Sequence, residues 1–295
     1  MILVNIFNQI ILKFMKKYIL FLSATFLSIT IFAQQFRLTT FAGTSNYDGE
    51  LQNKRFTFDQ SHFAAGIGVS YELSEQLYLN GAIKLGKLSA DDKNSKKNAI
   101  RNLNFSTSLT EFNLGLEYDF LNLNLHSLSP YIFGGIALFH FNPTTLDSVG
   151  NKVYLQPLST EGEGFITGRK KYNLTQLSIP FGGGIKFALT PDVRIGVEIG
   201  LRKLFTDYID DVSTNYVDRN VLLANRGQQA VDLAFRGGEL KNGLAYPVDG
   251  TTRGNSKSKD WYYFTGLTVS FNLGAAKTIV GYKGKNKLGC PVSTY

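Results

Sequence analysis

His62, His126 and His140 are the three side chains whose ordinary pKa suits general-base work near neutrality, and Ser70 and Ser178 are serines on strand faces where a nucleophile could be held. A Ser–His–carboxylate relay, the device of lipid hydrolases, needs these groups within hydrogen-bond reach of one another. The spacing does not supply it. Both serines fall on the inward face of their segments, His62 and His140 fall near an outer rim, and His126 falls in a short turn on the opposite side. Asp207, Asp210, Asp211 and Asp218 crowd beside Tyr208 and Tyr216. Acidic loops hold calcium, but these intervals match no defined ligand loop, so a solvated acidic surface is expected and no metal. No glycine-rich phosphate loop, zinc cluster or dinucleotide fingerprint occurs, and no cofactor is expected.

A second set of charged residues suits ion pairing better than catalysis. Lys84, Glu117, Lys186, Arg194, Glu198 and Arg202 all fall on the polar face of segments that alternate strictly between apolar and polar. Charges of both signs gathered in one dry column should pair, because an unpaired buried charge is very costly.

The elements that would position them are strands. In residues 193–202, Val193, Ile195, Val197, Ile199 and Leu201 alternate with Arg194, Gly196, Glu198, Gly200 and Arg202. Successive side chains of a strand point to opposite faces, so one face is wholly aliphatic and the other small or charged. Residues 63–71, 77–85, 112–120 and 177–189 repeat the pattern. Eight such segments follow one another, and their connections alternate between short and long. The short ones are residues 72–76, 121–130 and 190–192; the long ones are 47–55, 90–100, 142–171 and 206–260. Bacterial outer-membrane barrels show this asymmetry, with short periplasmic turns, long extracellular loops and an even strand number. The fold expected is all-β, an eight-stranded antiparallel transmembrane β-barrel.

A soluble sandwich or lipocalin-like barrel would alternate as well. Lipid outside is favoured by a polar face rich in Gly and Ala, as a narrow lumen needs, and by aromatics near strand ends: Tyr71, Tyr78, Tyr118, Phe120, Tyr131, Phe139, Phe141 and the run from Trp261 to Phe264. These read as interfacial girdles. Strands of about nine to eleven residues match one tilted crossing. Eight strands close too tightly for a channel, since side chains fill the interior, so a diffusion porin is not expected.

The first 33 residues read as a secretory signal: a basic start at Met15, Lys16 and Lys17, an apolar run to Phe32, and Ala33 before Gln34, with Met15 a candidate true start. Without them, 28 basic residues stand against 23 acidic ones, a formal net charge of +5. That balance is mild, and no basic stripe with interleaved aromatics suggests nucleic acid. Residues 34–272 form the barrel, and 273–295 a tail on the periplasmic side. The tail holds Lys277, Lys283, Lys285 and Lys287, no acid, and Cys290, the single cysteine of the chain. An odd thiol in an oxidising compartment implies an intermolecular disulfide or a reactive free thiol, unless it is incidental to a loose terminus. Together Lys283, Lys285, Lys287 and Cys290 read as a docking strap for a periplasmic partner.

Three passages carry a resemblance. The stretch Phe41-Ala42-Gly43-Thr44-Ser45-Asn46-Tyr47-Asp48-Gly49-Glu50-Leu51 is similar to the opening of the PorG-like outer-membrane barrels, with Glu50 where that family has Asp. Arg253-Gly254-Asn255 with Asp260-Trp261-Tyr262-Tyr263-Phe264-Thr265-Gly266 resembles the family's entry to its last strand, and Lys287-Leu288-Gly289-Cys290-Pro291 its Cys-Pro ending. Residues 142–171 match no part of it. The resemblance implies an integral outer-membrane component of the type IX secretion system of Bacteroidota, associated with a periplasmic ring of lipoprotein and partner subunits, and neither an enzyme nor the pore. The competing expectations are a surface adhesin or receptor that uses its long loops, and a lipid-modifying enzyme.

Overall fold

The computed structural model describes residues 35–52, 56–94 and 98–274. The expected signal and the tail residues Lys283, Lys285, Lys287 and Cys290 lie outside the described residues.

Eight strands close a barrel: β1 (Phe36–Asp48), β2 (His62–Glu72), β3 (Leu77–Asp91), β4 (Asn104–Asp119), β5 (Leu128–His140), β8 (Thr175–Ala188), β9 (Val193–Leu204) and β10 (Trp261–Asn272). Each pairs antiparallel with its neighbours along the chain, and the seam closes between β1 and β10, from Arg37 opposite Asn272 to Asp48 opposite Trp261. Two short strands, β6 (Thr144–Leu146) and β7 (Lys152–Tyr154), form a hairpin within the long connection after β5, joined to β4 where Ser106 meets Thr144.

The alternation sets the two faces. Ile67, Leu85, Phe112, Ile136, Leu177, Val197 and Leu267 are exposed on the outside, while Lys84, Glu111, Glu117, Glu198 and Arg202 are buried within. In β9 from Val193 to Leu201 and in β4 from Phe112 to Tyr118, no outward position is charged. An aliphatic belt of this extent around a closed barrel is a hydrocarbon-facing surface. The protein is an outer-membrane β-barrel. No helix among the described residues is long and apolar enough to cross a membrane; the chain crosses with strands.

Two expectations need correction. The strands are longer than nine to eleven residues: β3 has 15 and β4 has 16. Above the belt their extra residues carry Leu88, Ala90, Phe105 and Leu109 into an apolar core outside the membrane. Secondly, only part of the aromatic set forms girdles. Tyr118 and Phe120 stand outside, but Tyr78, Tyr131, Phe139, Phe141, Tyr262 and Phe264 are buried inside. The run from Trp261 to Phe264 is itself a strand, so its parity sends Tyr262 and Phe264 into the lumen. Tyr263 faces out and is covered by Phe56 and Phe58 from the loop after β1.

Candidate functional site

The lumen is filled by ion pairs in layers. In the uppermost layer, Arg202 Nε and Nη2 donate to the two carboxylate oxygens of Glu111 at 2.8 and 2.9 Å, and Nη1 donates to the Gly200 carbonyl at 2.7 Å. The Tyr262 hydroxyl and Asn113 Nδ2 donate to the same carboxylate, at 2.7 and 2.9 Å. The guanidinium lies over the Phe264 ring, 4.6 Å from its centroid. A Cβ at position 200 would come within 2.4 Å of Arg202 Nη1, so the glycine leaves the guanidinium its place.

Below, Lys84 Nζ donates to Glu198 at 2.5 Å and sits 4.4 Å from the Phe41 ring centroid. In the next layer Lys186 Nζ is held between Glu117 and Asp119, 3.1 Å from the latter, over the Tyr131 ring. At the short-turn end, Arg194 donates to the Tyr78 hydroxyl at 2.9 Å and reaches Asn124 at 3.4 Å. Arg37 donates to the Asp192 carbonyl at 2.9 Å. Arg194 therefore departs from the expected pairing: its partners are a hydroxyl and an amide oxygen. What remains of the lumen is a cavity of about 100 Å³, room for a few waters.

Sequence reasoning placed Lys84, Glu117, Lys186, Arg194, Glu198 and Arg202 on one face, and the fold gathers all six in one lumen. It missed Glu111, which anchors the topmost pair, by starting that strand at Phe112. The parity of Glu111 with Asn113 was the available signal. It also missed Arg37 at the entry to β1.

The lumen is roofed on the long-loop side by a folded cap. Arg253 is its centre: Nη1 donates to Glu161 at 3.0 Å, Nε to the Ala234 carbonyl at 3.1 Å, and Nη2 lies 3.8 Å from Asp211. Glu161 also accepts from the Ser213 amide, the Thr214 amide and the Thr214 hydroxyl at 2.9, 2.8 and 2.6 Å. Asp211, with φ of 67°, takes the Tyr172 and Thr160 hydroxyls, each at 2.6 Å. Arg101 clasps Asp92 through two bonds of 2.8 Å and donates to the Arg253 carbonyl, tying the loop after β3 to the loop after β9. Two short helices, Arg219–Arg226 and Gln228–Ala234, bury Leu222, Ala230 and Val231 against Phe165 and Tyr246. Asp218 caps the first of them through the Asn220 and Val221 amides.

The expected solvated acidic surface is therefore corrected. Asp207, Asp210 and Asp211 are buried, and only Asp218 keeps a peripheral role as a helix cap. Asp210 accepts from the Tyr47 hydroxyl at 2.6 Å, and Asp260 lies 3.2 Å from the same hydroxyl while accepting from the Ile209 amide. Among the described residues no group of His, Cys, Asp and Glu is arranged to hold a metal. Four of the carboxyls, Asp207, Asp210, Asp260 and Glu50, bind protons more tightly than an ordinary carboxylate. Burial raises Asp210 to about 8 and Asp207 to about 7, with nearby carboxylates adding to it, and raises Glu50 to about 7. Burial, then Asp210 and Asp207, push Asp260 well above the ordinary range.

These shifts fix a pH dependence. The folded cap binds more protons than the unfolded loops, so its stability falls as pH rises from the ordinary carboxyl range, about 4, to about 8. Hydrogen exchange within residues 205–260, corrected for intrinsic chemistry, should quicken between about pH 5 and above pH 8, while the β4 and β9 crossings stay protected. Equal protection across that range contradicts the buried acid cluster.

The histidines form no relay. His62 Nε2 meets the Ser89 hydroxyl at 2.6 Å, and His140 Nδ1 meets the Thr175 hydroxyl at 2.9 Å on the outer face. Ser70 and Ser178 lie inside the barrel. His126 is exposed in the turn between β4 and β5.

A family model described as a domain of unknown function (DUF6089) matches residues 15–225. No curated protein matches the sequence. Among solved structures the chain is similar to Neisserial surface protein A (NspA), 11% identical over 81% of this chain and 97% of that one, with a TM-score of 0.41. It is similar to the outer membrane protein OprG from Pseudomonas aeruginosa, 10% identical over 81% and 97%, with a TM-score of 0.40. It is similar also to Ail, the attachment invasion locus protein of Yersinia pestis, 9% identical over 80% and 97%, with a TM-score of 0.35.

Proposed function

Since the chain belongs to the DUF6089 family and closes as an eight-stranded outer-membrane barrel, we propose that it is a non-conducting membrane anchor for a periplasmic assembly. The resemblance to PorG-like barrels makes the type IX secretion apparatus the assembly proposed. The observation that carries this reading is the filled lumen. Three ion-paired cations in layers, Lys84, Lys186 and Arg202, fill the lumen under a cap bonded through Arg253 and Glu161, so the useful surfaces are the two ends and the lipid-facing wall. The chain also leaves β10 at the short-turn rim: the Asn272 amide donates to Asp192 at 2.8 Å and the Leu273 amide to Phe36 at 2.9 Å. A tail carrying Lys283, Lys285, Lys287 and Cys290 then starts on the periplasmic side.

The experiment is a strain producing a chain truncated after Gly274, beside one carrying Cys290→Ser. Loss of exported cargo on truncation, with the barrel still present in the outer membrane, is the expected result, together with a Cys290-dependent crosslink to a periplasmic partner. Unchanged secretion and no crosslink would end this reading. A second reading, a surface receptor or adhesin, is favoured by the cap, which is a folded surface rather than a set of loose loops. It predicts that protease trimming within residues 206–260 abolishes ligand binding and leaves secretion intact.

A further inference from the structure

On the outer wall, one step above the hydrocarbon belt, the strands and the β6–β7 hairpin enclose a groove of about 630 Å³. The register fixes its height. Ile83, Phe112 and Leu138 are directly opposite one another on β3, β4 and β5 and face lipid. Two residues further along β4, Thr110 is opposite both Leu85 and His140, and one step beyond, Ser108 is opposite Lys87. A two-residue step along a strand is roughly 6.6 Å, so the wall gains hydroxyls at the first step above the belt, where Leu85 is still aliphatic, and a cation at the second. The hairpin adds Lys152 and Tyr154, with the Lys152 ammonium 5.4 Å from the tyrosine ring centroid.

The chemistry of the lining is one-sided. It contains Lys87, Lys152 and His140, several hydroxyls and amides, and no carboxylate. Neither lysine forms an ion pair within the described residues, whereas every lysine inside the lumen does. The nearest acid along the hairpin, Asp147, is taken up by the Val149 and Asn151 amides at its turn. His140 spends Nδ1 on Thr175 and keeps Nε2. Cations without an ion-pair partner among the described residues, set beside hydroxyls just above the aliphatic belt, fit a phosphate carried on a sugar.

We propose that this groove binds the phosphorylated headgroup of an outer-leaflet glycolipid, with Lys87 and Lys152 flanking the phosphate, Ser108, Thr110 and His140 meeting the sugar, and the acyl chains lying on Ile83, Phe112 and Leu138. The binding is non-covalent. It lies at the opposite end of the barrel from the rim where the chain leaves β10, so either reading stands if the other fails.

The test uses the full-length protein in phosphatidylcholine vesicles with or without bisphosphorylated lipid A, followed by native mass spectrometry of the extracted protein. Wild-type protein should retain lipid A. The Lys87→Ala/Lys152→Ala variant should bind it about thirtyfold more weakly, on the scale of two surface cations against an anionic headgroup. Dephosphorylated lipid A should be lost to a similar degree, and inorganic phosphate should not displace the lipid. Heat-dependent gel mobility shows whether the variant is folded, and Lys93→Ala, outside the groove, serves as the charge control. Equal retention by the double variant, or equal retention of dephosphorylated lipid A, overturns the proposal. Displacement by inorganic phosphate also overturns it, by assigning the groove to a free anion.

Discussion

Replacing Arg202 with alanine should lower the barrel's unfolding free energy by about 3–5 kcal/mol, the cost of leaving one member of a buried ion pair without its partner. Glu111 is fully buried and would keep only the Tyr262 hydroxyl and the Asn113 amide as donors. Neutralising both partners separates the cost of an orphaned charge from the worth of the pair. Arg202→Met with Glu111→Gln keeps an acceptor for Tyr262 and fills much of the same volume, so it should recover most of the loss. The measurement is urea unfolding in lipid vesicles. A cost below about 1 kcal/mol for Arg202→Ala, or a double variant no more stable than the single one, contradicts the layered ion-pair account.

Arg253→Ala should release the cap and leave the barrel standing. Burial works against the Arg253 charge, but Glu161 and Asp211 outweigh it and raise its pKa, so the side chain is charged in the folded cap. Its loss leaves the fully buried Glu161 with the Ser213 and Thr214 donors but no cation, and frees the Ala234 carbonyl that ties in the second short helix. Local opening of residues 205–260 should become on the order of a hundredfold more frequent, read as faster trypsin cleavage within that segment. Arg253→Lys should fall between the two, since an ammonium keeps the charge but cannot reach Glu161, Asp211 and Ala234 as one planar fork. Cleavage at the wild-type rate in Arg253→Ala would mean that the cap rests on its apolar contacts alone. Heat-dependent mobility of the barrel is expected to be unchanged, because no residue of Arg253's cluster lies below the rim.

These two arginines also show what could be read from the chain beforehand. The face on which Arg202 lies follows from period-two alternation, a local property, and so did the faces of Lys84, Glu117, Lys186 and Glu198. The identity of its partner did not follow: Glu111 is 91 positions away, and only barrel closure brings the two together. Arg253 and Glu161 are 92 positions apart within irregular segments that have no period to read, so Asp207, Asp210 and Asp211 looked like a wetted acidic surface. Loop polarity says that such residues prefer water or partners, and here partners supplied by other loops prevailed. The aromatics misled for a different reason. Tyr262 and Phe264 have the composition of a membrane girdle, but parity along β10 outranks composition and turns them inward to fill space around Arg202 and Lys84.

Everything proposed for the two ends of the barrel depends on hydrocarbon wetting its wall. The most direct test is the electrophoretic mobility of purified protein, boiled and unboiled, together with its dispersity after detergent removal. A closed membrane barrel should run at a different position unboiled than boiled and should aggregate without detergent or lipid. A single mobility under both treatments, with a monodisperse detergent-free solution, would contradict the account.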